Sequence, residues 1–374
     1  MDLDTSPVGS VVDPADRARW RRRGRAPGRR APGRRAPGRR ALGRRALAGV
    51  LPLLAAACAV TTAGQPSAGP PLPAAVDFFH HEGSVWRTRV PADAPVDERS
   101  DAYVAGLAGP EPVIAIRNFT APVFVADAGT PRYRIAPSAS YATPEATLSR
   151  VPVPRNARAD PADDGHLAVL DTSTDCVFEM YRARPAGDGW AAEWVNATPA
   201  DGEGIYPDGL ATRASGFSIA AGLIWPEELR AGRIDHALVF AYPATRQGDP
   251  VPPATRSDGR TEGPDTLPIG AHLVLDPDLD LGGLGLTGPE LTIATALQEY
   301  GMYLADSSRG LSLFAVHPQS YPTDPYEEIL GGGDLTYLGI GDIPFDRMQV
   351  LRLGQPVRAY QGPVTPNRCT DAAR

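Results

Sequence analysis

The chain has 374 residues with 44 acidic and 37 basic side chains, and all of the basic ones are arginine. Its first 57 residues hold fourteen arginines against four acids, so the net charge of −7 for the whole chain leaves −17 for residues 58–374. An acidic body repels phosphate backbones, so we expect no nucleic-acid partner. The absence of lysine excludes Schiff-base chemistry and a lysine-containing phosphate loop.

An export signal is predicted over residues 1–57. The repeat APGRRAPGRRAPGRRALGRR is followed at 46–58 by the apolar, uncharged segment ALAGVLPLLAAAC. That segment is shorter than the roughly 20 residues that a membrane-spanning helix needs, and a basic region before a short apolar one is typical of a secretory signal. The paired arginines of GRRALA at 43–48 resemble the twin-arginine export signal. A disordered basic arm that binds nucleic acid is the alternative interpretation of the repeat.

The end of the apolar segment predicts attachment to a membrane through a lipid. LAAAC at 54–58 resembles a lipobox, in which Cys58 is lipidated and becomes the mature N-terminus. Cleavage after Ala63 is the alternative, and it would give a freely secreted protein. Residues 58–75 are rich in proline and alanine and predict an extended tether between the anchor and the folded domain.

A single β-sandwich domain is predicted over 76–355, with a C-terminal tail over 356–374. Short apolar runs separated by turn residues predict strands, with hairpins at 166–183 and 302–316. Forty prolines fit loops and sheet edges better than long helices. Because strands outnumber helices and do not alternate with them, we expect a mainly β fold, an antiparallel, jelly-roll-like β-sandwich with two or three short surface helices.

Three helices are predicted by their end signals. The best has the capping-box spacing of Thr287 and Glu290, followed by an apolar face and a terminal glycine. The predicted helices span 97–107, 225–232 and 287–301.

A disulfide between Cys176 and Cys369 is predicted to tie the C-terminal tail to the domain. With Cys58 assigned to the lipid, these two are the remaining cysteines of a chain sent to an oxidising compartment. Closing so long a loop stabilises the folded state by about 5 kcal/mol at most. Two buried thiols are the alternative.

Five stretches, taken in order, resemble a family of exported bacterial and fungal proteins. They are VDERSDAYVAGL, GHLAVLDTSTDCVFEMYRA, ASGFSIAAGLIWPEEL, GRIDHALVFAYP and ATALQEYGMYLADSS, and the resemblance spans roughly 85–350. It implies export and brings no catalytic assignment.

His236 is the first candidate site residue. The segment 234–242 predicts a central strand that His236 opens, with Leu238, Phe240 and Tyr242 on the same face. An aromatic face that ends in histidine would suit a sugar-binding groove. The alternative is a hydrogen-bonded histidine at the edge of the core.

Glu179, His166 and Arg256 are the other candidates. Glu179 lies within the apolar run 176–183, where it is either solvent-facing, the interpretation we favour, or buried with a raised pKa and suited to acid–base work. His166 begins an apolar strand and has the same two interpretations as the first histidine. Arg256 and Asp258 belong to a predicted turn or, alternatively, clamp a carboxylate.

No metal site and no cofactor are predicted. The six histidines have no zinc spacing, and the acidic DPDLDLGG at 276–283 lacks the glycine and glutamate of a calcium loop. GFSIA at 216–220 lacks the final glycine of a nucleophile elbow.

Together these features predict an exported, lipid-anchored envelope protein that contacts an extracellular glycan, as a polysaccharide hydrolase or lyase. A non-catalytic cell-surface binding or structural lipoprotein is the alternative. Catalysis requires two or more titratable groups that converge on one concave face, so the placement of the four candidates separates the two hypotheses.

Overall fold

Short strands dominate the described part of the chain, which confirms the mainly β class. The structure is a computed structural model and describes residues 79, 81–107, 109, 111–207, 211–331, 335–357 and 367–374. These residues belong to one unit that spans 68–374. The predicted export signal, Cys58 and the tether at 58–75 lie outside the described residues. Among the described helices, none combines the length and the hydrophobicity that crossing a bilayer requires.

Fifteen strands are found within these described residues. In chain order they are β1 Val113–Ala115, β2 Val123–Ala126, β3 Arg132–Ile135, β4 Leu148–Pro152, β5 Leu167–Asp171, β6 Cys176–Tyr181, β7 Arg184–Ala186, β8 Gly189–Ala191, β9 Trp194–Pro199, β10 Leu238–Tyr242, β11 His272–Leu275, β12 Met302–Ser307, β13 Ser312–Phe314, β14 Tyr337–Gly339 and β15 Met348–Val350.

The same part of the chain forms five α-helices. They are α1 Ser100–Leu107, α2 Pro226–Ala231, α3 Gly288–Glu299, α4 Tyr326–Ile329 and α5 Arg368–Ala373. The first three confirm the predicted helices. The capping box of α3 is present, because the Thr287 hydroxyl accepts from the Glu290 backbone N–H and the Glu290 carboxylate accepts from the Thr287 N–H. The sequence did not indicate α4 and α5, whose four and six residues are too short for a periodic pattern.

The strands form two larger sheets. One has seven strands in the order β14-β1-β13-β10-β12-β11-β15, and the other has four in the order β2-β5-β6-β9. The expected antiparallel pairing throughout is wrong, because β1 with β13, β10 with β12 and β2 with β5 are parallel. Parallel neighbours require long connections, and β10 and β12 are joined by the segment 243–301, which contains β11 and α3. The strand orders therefore do not match the jelly-roll arrangement.

The hairpin predicted at 166–183 is confirmed and the one at 302–316 is wrong. β5 and β6 pair antiparallel from Leu167 with Met180 to Asp171 with Cys176. β12 and β13, by contrast, are separated by β10, which pairs with both of them. All five residues of β10 are buried, so this strand takes the central place between two strands that are close in sequence.

The four-stranded sheet is buried on both faces. On one face Val123, Ala168 and Val177 belong to the same apolar cluster as Phe240 of the seven-stranded sheet. On the other, alternate residues of the same strands pack in a second cluster with Cys369 of α5. A polar residue on the inner face therefore lies between the two sheets.

The predicted disulfide is present between Cys176 and Cys369, whose Cα atoms are 5.7 Å apart. It fixes α5 against β6 across a sequence separation of 193 residues. Asn367 caps this short helix by accepting from the Cys369 and Thr370 backbone N–H groups.

We expect the Cys176→Ala/Cys369→Ala variant to lower the free energy of unfolding by about 2–5 kcal/mol, because the bond restricts the unfolded chain over a long loop. The measurement is urea unfolding with and without a thiol reductant. The reductant should lower the free energy of unfolding of the wild type to about that of the variant. It should leave the free energy of unfolding of the variant unchanged. Equal stability of the oxidised wild type and the variant would show that the bond contributes nothing.

Candidate functional site

Polar side chains lie on the inner face of the four-stranded sheet. Residues alternate across a strand, so Glu179 and Tyr181 of β6 share the face of the core residue Val177. Glu179 pairs across the strands with Asn196 of β9. His166, just before β5, lies in the same alternation as the core residue Ala168. The register of β5, β6 and β9 thus places His166, Glu179 and Asn196 together on the inner face of the sheet, among apolar side chains.

Glu179 is fully buried, so the favoured solvent-facing interpretation is wrong. Its carboxylate accepts hydrogen bonds from the Ser218 hydroxyl, from Asn196 Nδ2 at 3.3 Å and from the Thr212 hydroxyl at 3.4 Å. Burial raises the pKa of Glu179, and the hydrogen bonds from Ser218 and Asn196 oppose that rise. The sequence placed Glu179 on the correct strand face, and the second sheet covers that face.

Arg213 connects this carboxylate to the other sheet. Its side chain is 1% exposed, and its Nε lies 3.1 Å from Oδ2 of Asp306 in β12. The guanidinium also lies 5.2 Å from the ring centroid of Phe314. Burial lowers the pKa of Arg213, and the charges of Asp306 and Glu179 oppose that change. We call Glu179, Arg213 and Asp306 the charge network; it links the two sheets.

Asp306 is the member of the charge network that solvent reaches. Its side chain is 24% exposed, and Oδ1 accepts from the Ala214 backbone N–H at 2.9 Å. Burial raises the pKa of Asp306 to about 7, against the lowering effect of Arg213 and with a further rise from Asp258. This carboxyl therefore exists in both protonation states near neutral pH.

A polar cleft of about 310 Å³ lies where two parallel strands end, and one of its lining residues is Ser307, which follows Asp306 in β12. Because β10 and β12 run in the same direction, their carboxyl ends meet at one edge of the sheet, which is where ligands bind in sheets with parallel strands. The Ser307 hydroxyl donates to Oδ1 of Asp258 at 2.9 Å and lies 2.6 Å from the Thr245 hydroxyl. We call this the strand-end cleft; it is lined by Pro243, Thr245, Asp258, Arg260, Ser307 and Ser308.

His166 lies near enough to Arg213 for the guanidinium charge to act on it. It is 8% exposed, and its ring centroid is 5.6 Å from that of Tyr181. Burial lowers the pKa of His166 to about 3, and the positive charge of Arg213 lowers it further. Its Nδ1 has no hydrogen-bond partner among the described residues. The imidazole is therefore neutral and has an unused nitrogen.

Arg256 is held at the edge of the same region. Its backbone N–H and that of Thr255 both donate to the Ser215 carbonyl, at 3.3 and 2.9 Å. Ser215 follows Arg213 by two residues. The structure thus brings together His166 and Glu179 around the charge network, with Arg256 on an adjoining loop.

His236 lies apart from these three candidates. Its Nε2 is 3.0 Å from Oε1 of Glu228 in α2, and its Nδ1 is 3.0 Å from the Ala237 carbonyl. Phe240 and Tyr242 on its strand face are buried, so the described residues form no sugar-binding groove along that face. The geometry instead favours the alternative, a hydrogen-bonded histidine at the edge of the core, and places it just before β10.

The sequence analysis missed three side chains of the candidate site: Asp306, Arg213 and, as a cleft carboxylate, Asp258. Asp306 ends the apolar run of β12, and only its position beside the parallel β10 makes it a site residue. Arg213 lies in a segment with no strand or helix signal. Among the described residues, no group of three or more histidine, cysteine or acidic side chains is placed to hold a metal ion.

We expect Arg213→Met to lower the free energy of unfolding by about 3–5 kcal/mol, because it leaves two carboxyl groups buried without their cation. Replacing both carboxylates as well, in a Glu179→Gln/Arg213→Met/Asp306→Asn variant, should restore most of that loss. Urea unfolding measures both. The exposed Arg352→Met is the control and should stay within about 0.5 kcal/mol of the wild type. A triple variant as unstable as the single one would contradict the charge network.

The His236–Glu228 pair predicts a pH-dependent stability. Burial alone would lower the pKa of His236, but Glu228 and the Ala237 carbonyl raise it above its ordinary value of 6.5. A histidine whose pKa is raised by folding stabilises the folded state fully at pH values below its pKa in the unfolded chain. That stabilisation is lost as the pH rises through its pKa in the folded protein. The wild type should therefore exceed His236→Gln in stability most at pH 5.5, and the gap should narrow toward pH 9. A gap that is constant with pH would disprove an ionised His236.

Comparisons with known proteins find no match to this chain: no family model, no curated protein and no solved structure is significantly similar to it.

Proposed function

We propose that the protein is an exported, lipid-anchored envelope protein that binds an extracellular glycan in the strand-end cleft and hydrolyses it by acid–base catalysis at Asp306. The observation that supports this most is the state of Asp306, a carboxyl that solvent reaches and whose pKa is about 7. A catalytic acid or base works best with a pKa near the operating pH.

A second carboxylate and several hydroxyl groups support a glycan as the substrate. Asp258 lines the cleft and raises the pKa of Asp306 through its negative charge. Glycoside hydrolysis uses two carboxyl groups whose environments separate their pKa values. In this mechanism Asp306 protonates the glycosidic oxygen, and the Asp258 carboxylate attacks the sugar or activates a water. Ser307, Ser308 and Thr245 supply hydrogen-bonding groups for sugar hydroxyls.

The remaining members of the charge network position the acid. Arg213 holds Oδ2 of Asp306, and Glu179 balances the charge of Arg213 from the other sheet. Neither side chain is accessible to a ligand in the cleft, because both are almost fully buried. Glu179 is therefore a positioning residue in this proposal and no longer a candidate catalyst.

The disulfide supports the proposed location. Cys176 and Cys369 are joined, and structural disulfides persist in oxidising compartments outside the cytosol. Together with the basic and apolar leader, the bond is what export predicts. Lipidation of Cys58 stays part of the proposal, since the residue lies outside the described part of the chain.

The second hypothesis is a non-catalytic surface protein that binds a glycan without cleaving it. One observation favours it: both carboxylates already have partners in the protein. Asp258 accepts from Ser307, and Asp306 accepts from Ala214 and pairs with Arg213. In this hypothesis the cleft is a polar binding surface.

The test is release of reducing ends from a panel of polysaccharides by the exported chain carrying Cys58→Ser, which removes the proposed lipid. We expect Asp306→Asn to lower kcat by about 10²–10⁴-fold, the usual contribution of a general acid. The wild-type rate should fall as pH rises through about 7, where Asp306 loses its proton. The exposed Asp278→Asn is the control and should keep full activity. Binding without turnover would favour the second hypothesis, and neither binding nor turnover would reject both.

A further inference from the structure

Tyr141 is an exposed aromatic ring that packs against Trp194 of β9. Of the large hydrophobic side chains that are exposed in the described residues, it is the most exposed, at 59%, and the only aromatic one. Its ring lies 5.6 Å from that of Trp194, with an angle of 39° between the planes. The buried Trp194 supports one part of the Tyr141 ring, and water covers the rest. A supported, exposed ring is a surface on which the apolar face of a sugar can stack.

Tyr181 extends this aromatic surface toward the interior. It is half-buried at the end of β6 and pairs across the strands with Trp194. Beyond Tyr181 lies His166, at 5.6 Å between ring centroids, with its unused Nδ1. The three rings and the imidazole therefore form one band, from the exposed Tyr141 to the buried His166, on the inner face of the four-stranded sheet.

A free cation lies beside this band. The Thr255 hydroxyl donates to the Tyr206 carbonyl at 2.5 Å, and Tyr206 belongs to the same apolar cluster as Trp194, so the loop that carries Arg256 lies near the aromatic band. Burial raises the pKa of Tyr141, and the positive charge of Arg256 opposes that rise. Arg182 also lies near, but Glu193 pairs with it at 3.2 Å and balances its charge. Among the described residues, the Arg256 guanidinium has no hydrogen bond and no ion pair. We call Tyr141, Tyr181, Trp194 and Arg256 the rim.

The rim and the strand-end cleft adjoin each other. Arg256 precedes Asp258 of the cleft by two residues, and its loop is fixed by the two hydrogen bonds to the Ser215 carbonyl. A chain-like ligand that stacks on Tyr141 can therefore extend along the 256–258 segment toward the strand-end cleft. A guanidinium without a partner binds a planar carboxylate in a bidentate manner.

From these observations we infer that the rim binds a carboxylate-bearing sugar, with Tyr141 stacking on the ring and Arg256 pairing with the carboxylate. The net charge of −17 on residues 58–374 does not prevent this, because at physiological salt charges more than about 8 Å away are largely screened. This inference takes from the proposed function only that the ligand is a glycan. It adds that this glycan is a uronate polymer.

The experiment is calorimetric binding to the catalytically disabled Asp306→Asn chain, so that turnover plays no part. The probes are oligosaccharides of galacturonate, mannuronate and glucuronate, each beside its methyl ester. We expect at least one uronate to bind about tenfold or more tightly than its ester, the difference that one charge-assisted pair provides. Arg256→Gln should abolish that preference, and Arg352→Gln, an exposed arginine elsewhere, should retain it.

Two substitutions at Tyr141 test the stacking. Tyr141→Phe keeps the ring and should keep the affinity, whereas Tyr141→Ala should weaken binding of both the uronate and its ester. Equal binding of uronate and ester, a preference that survives in Arg256→Gln, or no binding of any probe would overturn the inference. Selective binding without turnover in the wild type would leave it standing and reject the hydrolase. Turnover of neutral glycans without a uronate preference would overturn this inference and leave the hydrolase proposal standing.

Discussion

The buried cation Arg213 is the constraint on which the site depends. Removing a charged group from water costs several kcal/mol per ion, so a guanidinium between two sheets requires carboxylates on both sides. Glu179 supplies one from the four-stranded sheet and Asp306 supplies the other from the seven-stranded sheet. The relative position of the two sheets is thereby tied to the position of the candidate catalytic acid.

The same arrangement explains why only one of the two carboxyl groups is suited to chemistry. Both have a raised pKa because both are buried among protein atoms, but Glu179 is fully enclosed and satisfied by Ser218 and Asn196. Asp306 lies where β10 and β12 end, and a quarter of its side chain meets solvent. Access, and not the shift in pKa alone, separates a positioning residue from a catalytic one.

The two halves of the proposed ligand site come from different sheets. The strand-end cleft belongs to the seven-stranded sheet, while the aromatic band belongs to the four-stranded sheet. Arg256, on a loop bonded to the Ser215 carbonyl, lies between them. His236, which looked equivalent to His166 in the sequence, lies outside this region and pairs with Glu228 of α2. The pKa values of two buried histidines are thus shifted in opposite directions, because one has a carboxylate neighbour and the other has Arg213.

Local sequence by itself determined the features that depend on neighbours in the chain: the capping box of Thr287 and Glu290, the β5–β6 hairpin and the strand face of Glu179. The small number of cysteines predicted the Cys176–Cys369 bond but left two buried thiols as the alternative, and the structure contains the bond. Only the tertiary structure decided that β10 separates β12 from β13, that the face of Glu179 is covered, and that Arg213 reaches Asp306. These depend on contacts between residues tens to more than a hundred positions apart, whose pairing is set by packing and desolvation over the whole fold and leaves no local pattern.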